Sequence, residues 1–169
     1  MSMRIFRNIL VGALALLGLL AGEAFAQATS ATVTVSAVVP KACRFYTSPA
    51  PMVIQHGGGE IDPTSLANAT GSSTLSYRCS NGVSPQFDID TSGTFASPKT
   101  ATVNLVGAVT LANLPADITV TATGGPGTGL GGSENKTATI GGLITPANFG
   151  GAAPDTYSKT VTIDIQAIP

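Results

Sequence analysis

Hydroxyl and apolar residues alternate along much of this chain. Thr32 to Ala37 reads Thr-Val-Thr-Val-Ser-Ala, and the same period recurs at Thr74–Tyr77, Phe87–Asp90, Ala101–Leu105, Ile118–Thr121 and Thr160–Ile165. Period two places apolar side chains on one face of a strand and hydroxyls on the other. The β-branched residues that dominate these runs favour that geometry. Turn formers separate the runs: Pro49 with Pro51, Gly57 to Gly59, Asn81-Gly82, Ser97-Pro98, Gly124-Gly125-Pro126 and Pro154-Asp155. No segment keeps the i, i+3, i+4 spacing of an amphipathic helix for three turns. Short strands at this spacing predict an all-β chain folded as an antiparallel β-sandwich.

The first 26 residues break the pattern. Arg4 and Arg7 precede an apolar run from Ile9 to Ala21, and Ala24-Phe25-Ala26 supplies small residues around a cleavage point. This predicts a secretory signal peptide over 1–26. A membrane span needs about 20 apolar residues, and this run is shorter. Export to the periplasm and beyond is the expected destination. Eight Lys and Arg stand against nine Asp and Glu, for a net charge of −1. A nucleic-acid binder needs a basic stripe to displace phosphate counterions, so that class of partner is not expected.

Export changes the reading of the two cysteines, Cys43 and Cys79. In an oxidising compartment an even pair closes a disulfide. Cys-x-x-Cys spacing, the mark of a redox pair, is absent. A structural disulfide is expected, with a loop-closure stabilisation of roughly 3–4 kcal/mol.

Catalytic signals are poor. The chain has one histidine, His56, beside Gly57 to Gly59, which reads as an exposed loop residue. It has no nucleophile elbow to serve. Gly127, Gly129 and Gly132 match G-x-G-x-x-G, but no amphipathic helix follows to present N–H groups to a phosphate. They are expected in a flexible loop. Asp88 and Asp90 share one face of their run and are expected on its solvated side, opposite Phe87 and Ile89. Asn68 and Asn135 head sequons that matter only in a eukaryotic secretory route. No enzyme activity, cofactor or metal is expected.

The two ends carry more information. Ala31, Val33, Val35, Ala37 and Val39 share one face of a segment that precedes Cys43 and contains no glycine. Such a strand either opens its own domain or is lent to a neighbour, because an exposed sheet edge accepts a foreign strand. The segment Tyr157 to Ile168 alternates just as cleanly.

Signal peptide, T-V-T-V-S-A-V-V from Thr32, Cys43, S-Y-R-C ending at Cys79, I-T-P-A-N-F from Ile144 and D-T-Y-S-K-T-V-T-I-D-I from Asp155 follow one another in an order that resembles the pilin subunits of bacterial chaperone–usher pathways. The branch it is most similar to includes spore coat protein U-like domains. The resemblance covers nearly all of the chain after residue 26. The end at Gln166 to Pro169 lacks the near-terminal aromatic of the commonest pilins. The resemblance implies an incomplete immunoglobulin-like antiparallel β-sandwich over 41–169, lacking its seventh strand, with an N-terminal donor-strand extension over 27–40. It implies that Ala31, Val33, Val35, Ala37 and Val39 form the donor strand. It implies that Val161, Ile163 and Ile165 belong to the strand bordering the acceptor groove, which a periplasmic chaperone fills first. At an outer-membrane usher, another pilin subunit then replaces the chaperone. The expected product is a head-to-tail cell-surface pilus or fimbria, serving adhesion or biofilm formation. A monomeric secreted coat-like or carbohydrate-binding β-sandwich is the competing expectation. The scarcity of aromatic residues counts against it, since sugar-stacking platforms need them.

Overall fold

The computed structural model describes residues 33–132 and 134–168. The expected signal peptide over 1–26 and the donor-face residue Ala31 lie outside the described residues. The chain divides between Val38 and Val39. In the shorter unit, residues 33–38 are exposed and carry no regular secondary structure.

The longer unit is an antiparallel all-β structure. Its elements run β1 (Cys43–Thr47), β2 (Ala69–Cys79), β3 (Pro85–Ile89), β4 (Lys99–Gly107), β5 (Asn113–Ala122), β6 (Lys136–Ile144), one helical turn α1 (Pro146–Phe149), β7 (Tyr157–Ser158) and β8 (Ile163–Ala167). Six strands form a sheet in the order β1-β2-β6-β5-β4-β7, and β3 pairs with β8 in a separate two-stranded sheet.

Alternation does the sorting. Leu75, Tyr77 and Cys79 of β2, Leu114, Ala116, Ile118 and Val120 of β5, and Ala138, Ile140 and Ile144 of β6 point inward. Several of the intervening positions carry hydroxyls: Thr74 and Ser76, Thr119 and Thr121, Thr137 and Thr139. Phe87 and Ile89 of β3 join the same buried cluster, so both sheets feed one core. The Tyr77 ring meets Phe87 edge-on at 6.1 Å, and its hydroxyl donates to Gly125 O at 2.9 Å. That bond satisfies the one polar atom of a buried ring. Burial pushes the Tyr77 phenol up. Cys43 and Cys79 stand directly opposite each other in the β1–β2 register and are joined in a disulfide, as expected from export.

Several expectations need correction. Thr32 to Ala37 was expected as a strand, yet residues 33–37 form none, because a strand is completed by a neighbour's N–H and C=O groups. The last run starts as a strand at Ile163 rather than Thr160, since the Thr162 N–H is taken by the Asp90 carboxylate at 3.0 Å. Strand β6 escaped the periodicity because Gly141 and Gly142 interrupt it. Asp88 is not on a solvated face: it is 2% exposed. The chain turns back after β3 through positive φ at Asp90, Thr91 and Gly93. That turn brings Ser92 Oγ and the Gly93 N–H onto the Asp88 carboxylate, which also accepts the Ile89 N–H and faces Lys99 Nζ at 3.6 Å. The Ser92 hydroxyl, ahead of the backbone donors and Lys99, holds the Asp88 carboxyl below its ordinary range.

Candidate functional site: an apolar groove beside strand β8

Strand β8 uses one edge. Its residues Ile163 to Ala167 pair with Ile89 to Pro85 of β3, and among the described residues no strand pairs with its other edge. Strand β1 is one border of the six-stranded sheet, β7 being the other. Strands β1 and β8 approach each other around a small cavity of 210 Å³ between Phe45, Thr47, Val161 and Ile163.

Beyond β1 the chain crosses the inner face of the large sheet as residues 49–54. Pro49 and Pro51 lack N–H groups, so this segment cannot form a full ladder. It is held instead by the Ser73 hydroxyl donating to Ala50 O at 2.9 Å, and by reciprocal Gln55–Thr70 backbone bonds at 3.1 Å. Its side chains fill a gap in the sheet. Gly71 and Gly142 are paired across β2 and β6, and a Cβ on Gly142 would lie 2.6 Å from Ile54 Cδ1 and 2.8 Å from Met52 Cε.

Between this segment and residues 159–163 lies a groove of about 1130 Å³. Leu114, Ile118 and Ile140 form its floor, with Met52 and Ile54 on one wall and Val161 and Ile163 on the other. Small-molecule pockets run to about 300–1,000 Å³, so the groove exceeds that range. An open, largely apolar groove that reaches β8 at its first residue, Ile163, has the chemistry to take an extended polypeptide, with alternate side chains into the floor.

The ionisable groups at its rim are occupied structurally. Asp155 accepts hydrogen bonds from the N–H groups of Val109 (3.0 Å), Thr110 (2.7 Å) and Thr156 (2.7 Å), and from the Thr110 hydroxyl (2.7 Å). The Thr110 donors, backbone first, hold its carboxyl down to about 2. Lys159 Nζ pairs with Asp90 at 2.5 Å. That pair, with the Asp90–Thr162 bond, fixes the course of residues 159–162 along the groove.

The expected site residues separate into three groups. Val161 and Ile163 line the groove. Ile165 sits two positions further along β8, opposite Phe87, and packs against the core rather than lining the groove. Val33 and Val35 are 80% and 87% exposed, Ala37 and Val39 are exposed too, and none of the four belongs to a strand.

His56 lies in a loop, as expected, but is half-buried rather than exposed. The Asp62 N–H donates to its Nδ1 at 3.0 Å, so Nε2 carries the proton toward Ala67 O at 2.9 Å. Its ring meets Phe149 of α1 edge-on at 5.2 Å. The ring thereby ties the 56–67 loop to the turn that closes the core. The glycine-rich loop is also docked: Gly127 donates to Val83 O at 2.8 Å and Gly129 to Cys79 O at 3.0 Å. A Cβ on Gly127 would collide with the Cys79 backbone, which explains glycine there without a phosphate. Sequence reasoning missed residues 49–54, the Gly71–Gly142 pair and Asp155. The visible signals were a glycine pair inside an apolar alternation and two prolines flanking Ala50. Comparison with family models, with curated proteins and with solved structures finds no match.

Proposed function

We propose that this chain is a structural subunit of a secreted surface filament, exported through a signal peptide and assembled by donor-strand complementation along a chaperone–usher route. The domain is then an immunoglobulin-like sandwich short of one strand, and adhesion or biofilm formation is the role of the assembled pilus. The observation that carries this reading is the apolar groove between residues 49–54 and 159–163, which opens at the start of β8, a strand whose second edge pairs with no strand among the described residues. A complete sandwich has a strand there. An alternating segment with exposed Val33, Val35, Ala37 and Val39 supplies the complementary pattern.

The energetics suit such an assembly. A donor inserted beside β8 buries about five alternating side chains, each contributing roughly 1.5 kcal/mol when Val-sized. Main-chain bonds to the β8 edge add to this. Donor and groove are different surfaces of one chain, so the contact is heterologous and propagates as an open filament rather than closing on itself. An uncovered groove and two free strand borders invite aggregation, which is the physical need a periplasmic chaperone answers.

The test is complementation of a chain lacking residues 27–40. A peptide spanning Thr29 to Pro40 is expected to bind it and raise its melting temperature. The same peptide with Val35→Asp is expected to do neither, since an unpaired carboxylate in an apolar pocket costs several kcal/mol. If the shortened chain is already a stable monomer and neither peptide changes its melting, the domain is complete by itself, and the monomeric coat-like or surface-binding reading replaces this one.

A further inference from the structure

The charges of the longer unit are unevenly matched. Lys99, Lys136 and Lys159 each meet a carboxylate, from Asp88, Glu134 and Asp90 respectively. Among the described residues Lys41, Arg44 and Arg78 meet none, and the two arginines are directly opposed in the β1–β2 register. Opposed residues have Cβ atoms about 5 Å apart, and like charges so placed repel. The arrangement therefore disfavours the free domain and needs another reason.

Both guanidinium groups are fixed by neutral partners. Arg78 Nε donates to Asn135 Oδ1 at 2.6 Å, and its guanidinium carbon sits 4.0 Å from the centre of the Tyr46 ring. One terminal nitrogen of Arg44 donates to Leu130 O at 3.2 Å. Stacking and these bonds orient the forks while leaving further N–H donors free. The nearby acid, Glu134, is already bonded to Lys136 at 2.8 Å. The Tyr46 ring is partly bare, at 53% exposure. From Arg78 the outward face of β2 continues with Ser76 and Thr74, in register with Thr137 and Thr139 of β6.

We infer that this outer face of β1, β2 and β6 binds an acidic polysaccharide. The paired arginines take a sugar carboxylate or sulfate, the part of the Tyr46 ring that Arg78 leaves bare lies against the sugar ring, and the hydroxyl rows bond the units that follow. Two opposed guanidinium forks suit a planar carboxylate bidentately. The rows of hydroxyls match a ligand that is itself a chain of hydroxyls, which distinguishes it from a lipid headgroup. By alternation this face is the reverse of the one that floors the groove, so the inference is independent of the filament reading.

The test uses the full secreted chain on immobilised polyuronate, with neutral glucan and vesicles of anionic phospholipid as the other surfaces. Retention on polyuronate is expected, falling steeply with salt, with little on glucan. Arg44→Ala with Arg78→Ala is expected to weaken retention about tenfold or more, since each arginine contributes charge-assisted hydrogen bonds. Arg44→Lys with Arg78→Lys keeps the charge and loses the fork, and is expected to fall in between. Disulfide content and far-UV circular dichroism report whether each variant is folded; the Lys pair carries the test if the Ala pair is not. Undiminished retention of a folded variant without the arginines would overturn the site. Equal retention on the anionic vesicles would overturn its assignment to a polysaccharide.

Discussion

Gly71 of β2 and Gly142 of β6 face each other in register, and the space their absent side chains leave is occupied by Met52 and Ile54. A chain segment with two prolines is thereby seated on the inner face of the large sheet, and one wall of the groove is made without a regular strand. At Gly71 the obstacle to a side chain is the Val53 carbonyl, a backbone group, whereas at Gly142 it is the tips of Ile54 and Met52.

That difference sets the order of two substitutions. Gly71→Ala is expected to destabilise more than Gly142→Ala, because backbone yields less than a side-chain end. Overpacking of this kind costs about 1–3 kcal/mol. Gly141→Ala, whose Cβ would meet only Thr119 O at an ordinary 3.9 Å, serves as the neutral control. Urea denaturation of the three variants checks the ranking.

The proposed insertion of the 31–39 segment of one subunit into the groove of another is testable by covalent trapping. A Val35→Cys subunit mixed with a Val161→Cys subunit under assembly conditions is expected to give a cross-linked pair on a non-reducing gel. Native Cys43 and Cys79 are already bonded to each other and do not compete. Moving the second cysteine to the outer face, as Ser72→Cys, is expected to abolish the cross-link. Equal cross-linking from both positions would argue against insertion.

Asp155 predicts an acid limit. Its carboxyl is held at about 2 in the folded chain, below its ordinary value near 3.8. Between those values the unfolded chain binds the proton more readily, so folding stability falls as pH drops. The contribution is full above the unfolded value and is lost as pH falls through about 2. Asp155→Asn is expected to flatten this part of the stability profile while leaving the parts set by Asp62, Asp88, Asp90 and Glu134 in place. Paired urea titrations from pH 5 down to pH 2 measure the difference.

Removal of the disulfide tests the β1 border. Cys43→Ser with Cys79→Ser is expected to cost roughly 3–4 kcal/mol from the lost loop constraint. Because β1 pairs with β2 alone among the described strands, hydrogen exchange should accelerate first in Cys43–Thr47 and in the Gly127–Gly129 loop docked on Cys79. Thiol labelling of the denatured, unreduced wild type should find neither cysteine reactive.

Much of this molecule could be read along the chain. Strict alternation marked β2, β4 and β5 and the buried faces of each, because a strand with one face in a core needs only period two. The expectation of export and the even cysteine count pointed to the disulfide now seen between Cys43 and Cys79. The same rule failed at Asp88, where alternation implied solvent, and at β6, where glycines concealed a strand.

The failures share a cause. Period two assigns a residue to a face, but which face is covered depends on chain that arrives from elsewhere. Asp88 is buried because the turn through Asp90 to Gly93 folds its donors back over it. Gly71 and Gly142 carry no hydropathy signal, and they matter because residues 49–54 cross above them. Local order along one strand is written in neighbouring side chains. The groove beside β8 is a gap between two segments more than a hundred residues apart in sequence, so it came into view only when both were in place.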